Sequence, residues 1–323
     1  MAKDHNEWER PLRELEENLQ KLRELAKKEQ DSDKRSSLSD RIQDFEARRD
    51  RYIDVMYSNL GPWEKVLVAR AQKRPYTLDY IQALFNDFVE LEGDRRFGAD
   101  HAIVGGPATY DGRPVMVVGH QKGRNIQDRQ YRNFGMAKPE GYRKAIRLFE
   151  MAERFRLPVI TFVDTPAADP GVESESRGIS EAIAASMLKM FELTVPTVSV
   201  IIGEGGSGGA IGIATSNRVL MLEHSVYSVI PPEGCAAILW RMPERGADAA
   251  KALKLTAQSA LEYGLIDEII TEPKGGAHRD LVEVSQAVKA SVDRHLEALL
   301  TLSPTAVKTD RYDKFRAMGN VLG

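Results

Sequence analysis

Residues 197–217, TVSVIIGEGGSGGAIGIATSN, decide how the rest of the chain is read. The β-branched run Val198, Val200, Ile201 and Ile202 stops at Gly203. Five glycines fall within seven residues: Gly203, Gly205, Gly206, Gly208 and Gly209. The small residues from Ala210 to Ala214 then suit the opening of a helix. A strand, a glycine turn and a helix start are predicted in that order. Glycine permits positive φ and lets another molecule approach the backbone closely. The first amides of a helix lack internal partners and carry partial positive charge. Such a turn suits an oxyanion or a phosphate.

Several chemistries compete for it. Gly203-x-Gly205-x-x-Gly208 is a dinucleotide-binding fingerprint, and Glu223 stands where a ribose-binding acid would follow. It implies an NAD-dependent dehydrogenase. The stretch before the next strand is short for a crossover helix, however, and the turn comes late in the domain. Gly205-x-Ser207-x-Gly209 is a nucleophile elbow, with Asp267 or Asp280 and His278 or His295 in hydrolase order. Both histidines lie in or beside a charged helix. No Lys-Ser/Thr pair follows the glycines, so a Walker A loop is excluded. A third chemistry uses backbone alone: two amides at the helix start aimed at a developing O⁻ on a thioester or ureido carbonyl. One such donor contributes about 3–4 kcal/mol to a transition state. The bland alternative is a packing turn that holds no ligand.

Outward from the turn, strands alternate with helices. Upstream, AIVGGPATY and RPVMVVGH flank Asp111-Gly112, a type I′ hairpin signal. Helices are predicted over 78–92 with Thr77 as its cap, 139–155, 179–192, 233–241, 245–263 with an interruption near Thr256, and 279–300. Further strands are predicted at 157–163, 196–202, 218–222, 225–230 and 265–271. This alternation argues an α/β domain with parallel strands. Ahead of it, residues 1–60 are charged and periodic. Leu12, Leu15, Leu19, Leu22 and Leu25 form one stripe; a second helix after 31–33, capped by Ser37 or Ser39, carries another. The boundaries read 1–75 for a helical arm and linker, 76–300 for the α/β domain and 301–323 for a tail.

The 323 residues carry a net charge of −3, which weighs against a nucleic-acid partner. Cys235 is the only cysteine, so no intrachain disulfide and no thiolate zinc site is expected. No apolar run reaches membrane-spanning length, and the N-terminus is too polar for a signal peptide. A cytoplasmic protein is expected.

Longer segments carry a resemblance. RPYTLDYIQALF and FVELEGDRRFGAD within 74–100, GHQKGR and RNFGMAKPEGYRKAIRLFEMAERF within 119–155, FVDTPAADPGVESESRG at 162–178, IGEGGSGGAIGI at 202–213 and YSVIPPEGCAAILWR at 227–241 are one set. With them, the chain resembles the alpha subunits of bacterial acetyl-CoA carboxylase carboxyltransferase over roughly residues 5–300. That resemblance implies a crotonase-like spiral of ββα units. It implies transfer of a carboxyl group from carboxybiotin, on a biotin carboxyl carrier protein, to acetyl-CoA, giving malonyl-CoA for fatty acid synthesis. It implies a beta subunit in an α2β2 assembly, with any zinc site on beta and no metal here. ATP is used only by a separate biotin carboxylase. The resemblance puts the family's glycine motif on Gly205, Gly206, Gly208 and Gly209. It implies a backbone oxyanion hole within Gly205, Gly206, Ser207, Gly208, Gly209 and Ala210, from the amides of Gly206 and Ser207 or of Gly209 and Ala210. That hole would face carboxybiotin, and beta's equivalent turn the thioester. A non-catalytic crotonase-fold scaffold remains an alternative.

Other candidates surround the turn. The basic segment 121–147, with Lys122 and Arg124, reads as an anion-attracting rim or as a solvated face. Asp164, Thr165 and Pro166 follow a strand end, where α/β folds place active residues. Where the family usually reads Gly-Ala-Tyr-Pro-Gly, this chain has Ala167-Ala168-Asp169-Pro170-Gly171. Glu233 and Gly234 open a helix beside the expected site wall. With Lys122, Arg124, Asp164, Thr165 and Pro166 they form the expected substrate-binding set.

Overall fold

A computed structural model describes residues 7–319. The chain divides into two compact units at Gly61/Pro62, with Lys274–Gly276 grouped with the first. In that first unit, helix α1 (Arg10–Lys28) packs on helix α2 (Ser32–Tyr57). Leu12, Leu19 and Leu22 of the expected stripe are buried, whereas Leu25 is exposed. Helix α2 starts earlier than Ser37 or Ser39. Asp31 caps it, its Oδ1 accepting from the amides of Asp33 (2.9 Å) and Lys34 (3.2 Å). The residue read as a break is therefore the cap.

The second unit begins with α3 (Pro62–Ala69) and α4 (Thr77–Leu84). Helix α4 ends well before the predicted 92. Phe85 turns extended, and the following residues run beside strand β1 (Ile103–Tyr110). Asn86 and Thr109 exchange two 2.8 Å backbone bonds, and Leu91 N donates to Gly105 O at 2.9 Å. The apolar spacing there has helical period, but the open edge of β1 offers backbone partners that a helix would leave unmet. Strand β2 (Arg113–His120) closes the hairpin; Asp111 (φ 51°) and Gly112 (φ 78°) both take the positive φ that the turn requires.

The chain continues through α5 (Ile126–Tyr131), α6 (Pro139–Phe155), β3 (Val159–Thr165), α7 (Val172–Ser176) and α8 (Ile179–Glu192). Next come β4 (Thr197–Gly206), α9 (Ser207–Ala214), β5 (Arg218–Leu222), β6 (Val226–Ser228), α10 (Pro232–Trp240), α11 (Gly246–Leu253) and α12 (Ala257–Glu262). Strand β7 (Glu268–Ile270), α13 (Leu281–Leu300) and α14 (Pro304–Arg316) complete it. Helices α6 and α8 match their predicted spans.

The sheet order is β1-β2-β3-β4-β5-β7, and every pair after the first hairpin is parallel. The order never reverses, whereas a doubly wound sheet reverses at a switch point. Each strand presents alternate residues to opposite faces. Val198, Val200 and Ile202 meet α4 and α13 on one side, while Ile201 belongs to the core of α6, α8 and α9 on the other. Strand β4 changes partner along its length. Residues 198–201 pair with β5, and 204–206 pair with β6. Its register against β3 also shifts between Val163 and Thr165. Such irregularities re-aim side chains, and here they lie directly below the glycine turn.

Residues 301–323, read as a tail, contain α14. Arg311 from this helix is fully buried and donates to the carbonyls of Met190 (2.7 Å), Leu193 (2.8 Å) and Val195 (3.1 Å).

Candidate active site

The glycine turn forms as predicted at the carboxyl end of β4. Gly206 is the N-cap of α9, in extended conformation (φ −97°, ψ 121°). By helix geometry its carbonyl accepts the Ala210 amide. Its own N–H donates to Thr165 O in the β3–β4 ladder, because Pro166 has no N–H to make the alternative pairing, so the unpaired donors of the first turn are those of Ser207, Gly208 and Gly209. Ser207 has φ 53°. A left-handed non-glycine residue costs about 1–2 kcal/mol. In return, a left-handed residue followed by helical ones turns successive N–H groups toward one point, a concavity suited to an anion.

The glycines are required by the chain's own packing. A Cβ on Gly206 would stand 1.9 Å from the Pro166 carbonyl oxygen, and one on Gly209 would stand 2.6 Å from Ala167 C and Ala168 N. The loop after β3 lies directly on the turn. Thr165 Oγ1 donates to Ala167 O at 2.6 Å and fixes that loop. The departure at 167–169 is accommodated: Asp169 accepts from Asn133 Nδ2 (2.9 Å) and Ser174 Oγ (2.5 Å). Gly206, Gly205, Pro166, Ile230, Pro231 and Arg70 line a shallow cleft beside the turn.

Beneath it lies an ion network. Lys122 Nζ meets Asp164 Oδ1 at 2.7 Å and Glu204 Oε2 at 2.8 Å. Arg70 Nε reaches Glu204 Oε1 at 2.6 Å, and its Nη1 reaches Glu233 Oε1 at 2.5 Å. The Glu204 amide donates to Asp164 Oδ1 at 2.9 Å, filling the irregular step between β3 and β4. Burial opposes ionisation of Glu204, but Lys122 and Arg70 outweigh it and hold its pKa at about 2. Burial likewise opposes the charge on Lys122, yet the two carboxylates raise its pKa. Burial pushes Asp164 up against the pull of Lys122. Farther along β4, Arg74 pairs with Glu272 at 2.6 and 2.8 Å and donates to Ile202 O at 2.7 Å.

Each residue of the expected substrate-binding set has partners within the chain. Lys122 is consumed by two carboxylates below the turn. Arg124 stacks 4.0 Å from the Tyr76 ring, pairs with Asp79 and donates to Arg74 O at 2.9 Å. It braces residues 72–79 and is not brought to the glycines. Asp164 pairs with Lys122 and Glu233 with Arg70, and Pro166 is the residue of that set that lines the cleft. Gly234 stands on α10 against Ile230. The rest of the basic segment behaves similarly: Arg132 donates to His101 O (3.1 Å), Lys144 to Asp100 O (2.7 Å) and Arg147 to Glu92 O (3.0 Å).

Sequence reasoning missed Arg70 and Glu204. Arg70 lay in the segment read as a linker or short helix. Glu204 stood inside the glycine motif itself, an acid at the end of an apolar strand, and that was its signal. His120 was also missed. It ends β2, is fully buried, and has no hydrogen-bond partner at either ring nitrogen among the described residues. Burial and Lys122 lower its pKa to about 3, although the Gly209 carbonyl favours the charged form. It is neutral at physiological pH.

The geometry disfavours the two side-chain chemistries. Helix α9 spans eight residues, and Glu223 accepts from the Glu272 amide (3.4 Å). His295 pairs with Glu268 at 2.8 Å. Among the described residues, no group of three or more His, Cys, Asp or Glu side chains is placed to hold a metal, and no helix is long and apolar enough to cross a membrane.

Comparison with known proteins agrees with this geometry. The family model described as acetyl co-enzyme A carboxylase carboxyltransferase-like matches residues 5–319. An acetyl-coenzyme A carboxylase carboxyl transferase subunit alpha from Geobacter metallireducens is 54% identical over 312 residues, covering 97% of this chain and 96% of that protein. The protein of the same name from Halorhodospira halophila is 46% identical over 323 residues, covering both chains fully. In structure, a Pseudomonas malonate decarboxylase hetero-tetramer in complex with coenzyme A aligns at a TM-score of 0.59 and 17% identity, over 72% of this chain and 91% of that one. Transcarboxylase 12S aligns at 0.58 and 19% identity, over 73% of this chain and 44% of that one. The fold is crotonase-like, and the chain belongs to the family of acetyl-CoA carboxylase carboxyltransferase alpha subunits.

Proposed function

We propose that this chain is the alpha half of a carboxyltransferase that moves a carboxyl group from carboxybiotin, borne on a biotin carboxyl carrier protein, to acetyl-CoA. The observation carrying this reading is the first turn of α9, with unpaired amides at Ser207, Gly208 and Gly209 beside a cleft whose walls include Pro166, Ile230 and Pro231. A flat apolar bicycle with one polar ureido oxygen suits such walls and such donors. Carboxybiotin supplies the activated carboxyl group. As it departs, negative charge grows on the ureido oxygen, and the amides of this turn stabilise that charge, each contributing about 3–4 kcal/mol.

The chain's other residues hold the turn. Asp164 and Glu204 fix the end of β4, Lys122 and Arg70 neutralise them, and Glu233 ties Arg70 to α10. No side-chain base is needed, because the ring nitrogen that loses the carboxyl group can take the methyl proton of acetyl-CoA. A beta subunit holds the thioester, in an α2β2 assembly working in the cytoplasm, with ATP used by a separate biotin carboxylase. Residues 76–300, with Arg70, form the catalytic domain.

The test is reconstitution. Adding a family beta subunit should give malonyl-CoA formation that this chain alone lacks. Absence of transfer by the assembled complex would overturn the reading.

A further inference from the structure

Ser207 is the one non-glycine residue in left-handed conformation at the start of an α-helix among the described residues. Four of the other positive-φ residues have structural reasons for that conformation, and the remaining four, Asp87, Arg95, Asn133 and Phe134, open no α-helix. Arg156, Arg241 and Lys254 end helices, where a left-handed residue satisfies the last carbonyls, and Asp111 makes the β1–β2 turn. At the opening of α9 the conformation meets no carbonyl. It gathers the amides of Ser207, Gly208 and Gly209, and glycine performs that backbone task without strain.

Glycine stands at Gly205, Gly206, Gly208 and Gly209 around it. A side chain kept at the single strained position calls for work done by that side chain. Packing does not supply it, because Ser207 is half-buried. Its Oγ enters no hydrogen bond among the described residues, unlike Thr165, Ser174 and Ser186 nearby, whose hydroxyls are all bonded. The hydroxyl sits one residue beyond Gly206, which lines the cleft.

We propose that the Ser207 hydroxyl is a catalytic hydrogen-bond donor: it joins the turn's amides at the ureido oxygen of biotin as the carboxyl group departs or arrives. This deepens the carboxyl-transfer reading and rests on it. The contact adds a donor whose reach differs from that of the backbone amides. Ser207 does not attack the substrate, so no covalent intermediate forms on it.

Two variants separate the hydroxyl from the strain. Ser207→Ala removes the hydroxyl and keeps the left-handed side chain; Ser207→Gly removes both. Each is assembled with the beta subunit, and carboxyl transfer from malonyl-CoA to free biocytin is measured. Both variants should lose about 10²-fold in kcat, the effect of one oxyanion donor, with little change in KM for biocytin. Thermal melting of Ser207→Gly should come no lower than wild type. Turnover of Ser207→Ala within about threefold of wild type overturns the proposal. So does loss confined to Ser207→Gly, which assigns the effect to the backbone. A wild-type complex without transfer overturns the carboxyl-transfer reading and this proposal with it.

Discussion

Replacing Gly206 by alanine tests the placement of the turn directly. The backbone at Gly206 (φ −97°, ψ 121°) is open to alanine, so the cost is one of space alone. The new Cβ would stand 1.9 Å from Pro166 O and 2.3 Å from Pro166 C, whereas ordinary contact begins at 3.4 Å. Both sides of that contact are backbone, which has no rotamer to yield. The turn and the 165–168 loop must therefore separate by about 1.5 Å, an overpacking that costs about 1–3 kcal/mol of stability. Displacements near 1 Å in a positioned group cost about 10²-fold in rate. Gly206→Ala should thus lower malonyl-CoA formation by the reconstituted complex about 10²-fold or more, while circular dichroism and assembly with beta persist. Gly98→Ala is the control, because it lies outside the turn and its Cβ would meet nothing within 4 Å. It should retain near wild-type turnover. Normal turnover by an assembled Gly206→Ala complex would refute the idea that this turn is a placed catalytic element.

Further expectations follow from the buried groups. Glu204 and Glu272 each have a folded pKa of about 2 against an ordinary 4.5, so their stabilisation is present above pH 4.5 and is lost as pH falls toward 2. Each contributes about 3 kcal/mol, and urea titrations at stepped pH should show the decline; Asp164, raised by burial, works in the opposite sense. His120, neutral with a pKa of about 3 against 6.5 when unfolded, adds a loss of stability that starts near pH 6.5, and His120→Gln should flatten that part of the curve. Arg70→Lys should not restore what Arg70→Ala loses in turnover, because one ammonium cannot span Glu204 and Glu233 as the guanidinium fork does. Arg311→Ala leaves buried carbonyls of Met190, Leu193 and Val195 without a donor. It should destabilise by about 3 kcal/mol or more, read as a lower urea midpoint and as proteolysis near residues 301–303.

The strand–turn–helix order at 197–214, the Asp111-Gly112 hairpin and the spans of α6 and α8 were legible in the amino-acid sequence. Each is set by local chemistry: β-branched runs, positive-φ residues and apolar period. The family was legible too, because long segments such as YSVIPPEGCAAILWR carry far more information than a glycine pattern. Tertiary structure alone decided which charges act and which merely pair. Lys122 and Arg124 read as anion-binding residues, yet long-range partners at Asp164, Glu204 and Asp79 claim them. Helix α4 stops at Leu84 because the edge of β1 competes for the backbone beyond it. The need for Gly206 likewise comes from Pro166, 40 residues earlier in the chain. Local pattern determines what a segment can form. Contacts between distant segments determine which of its polar groups stay free, because a buried charge or amide must find a partner wherever the fold brings one.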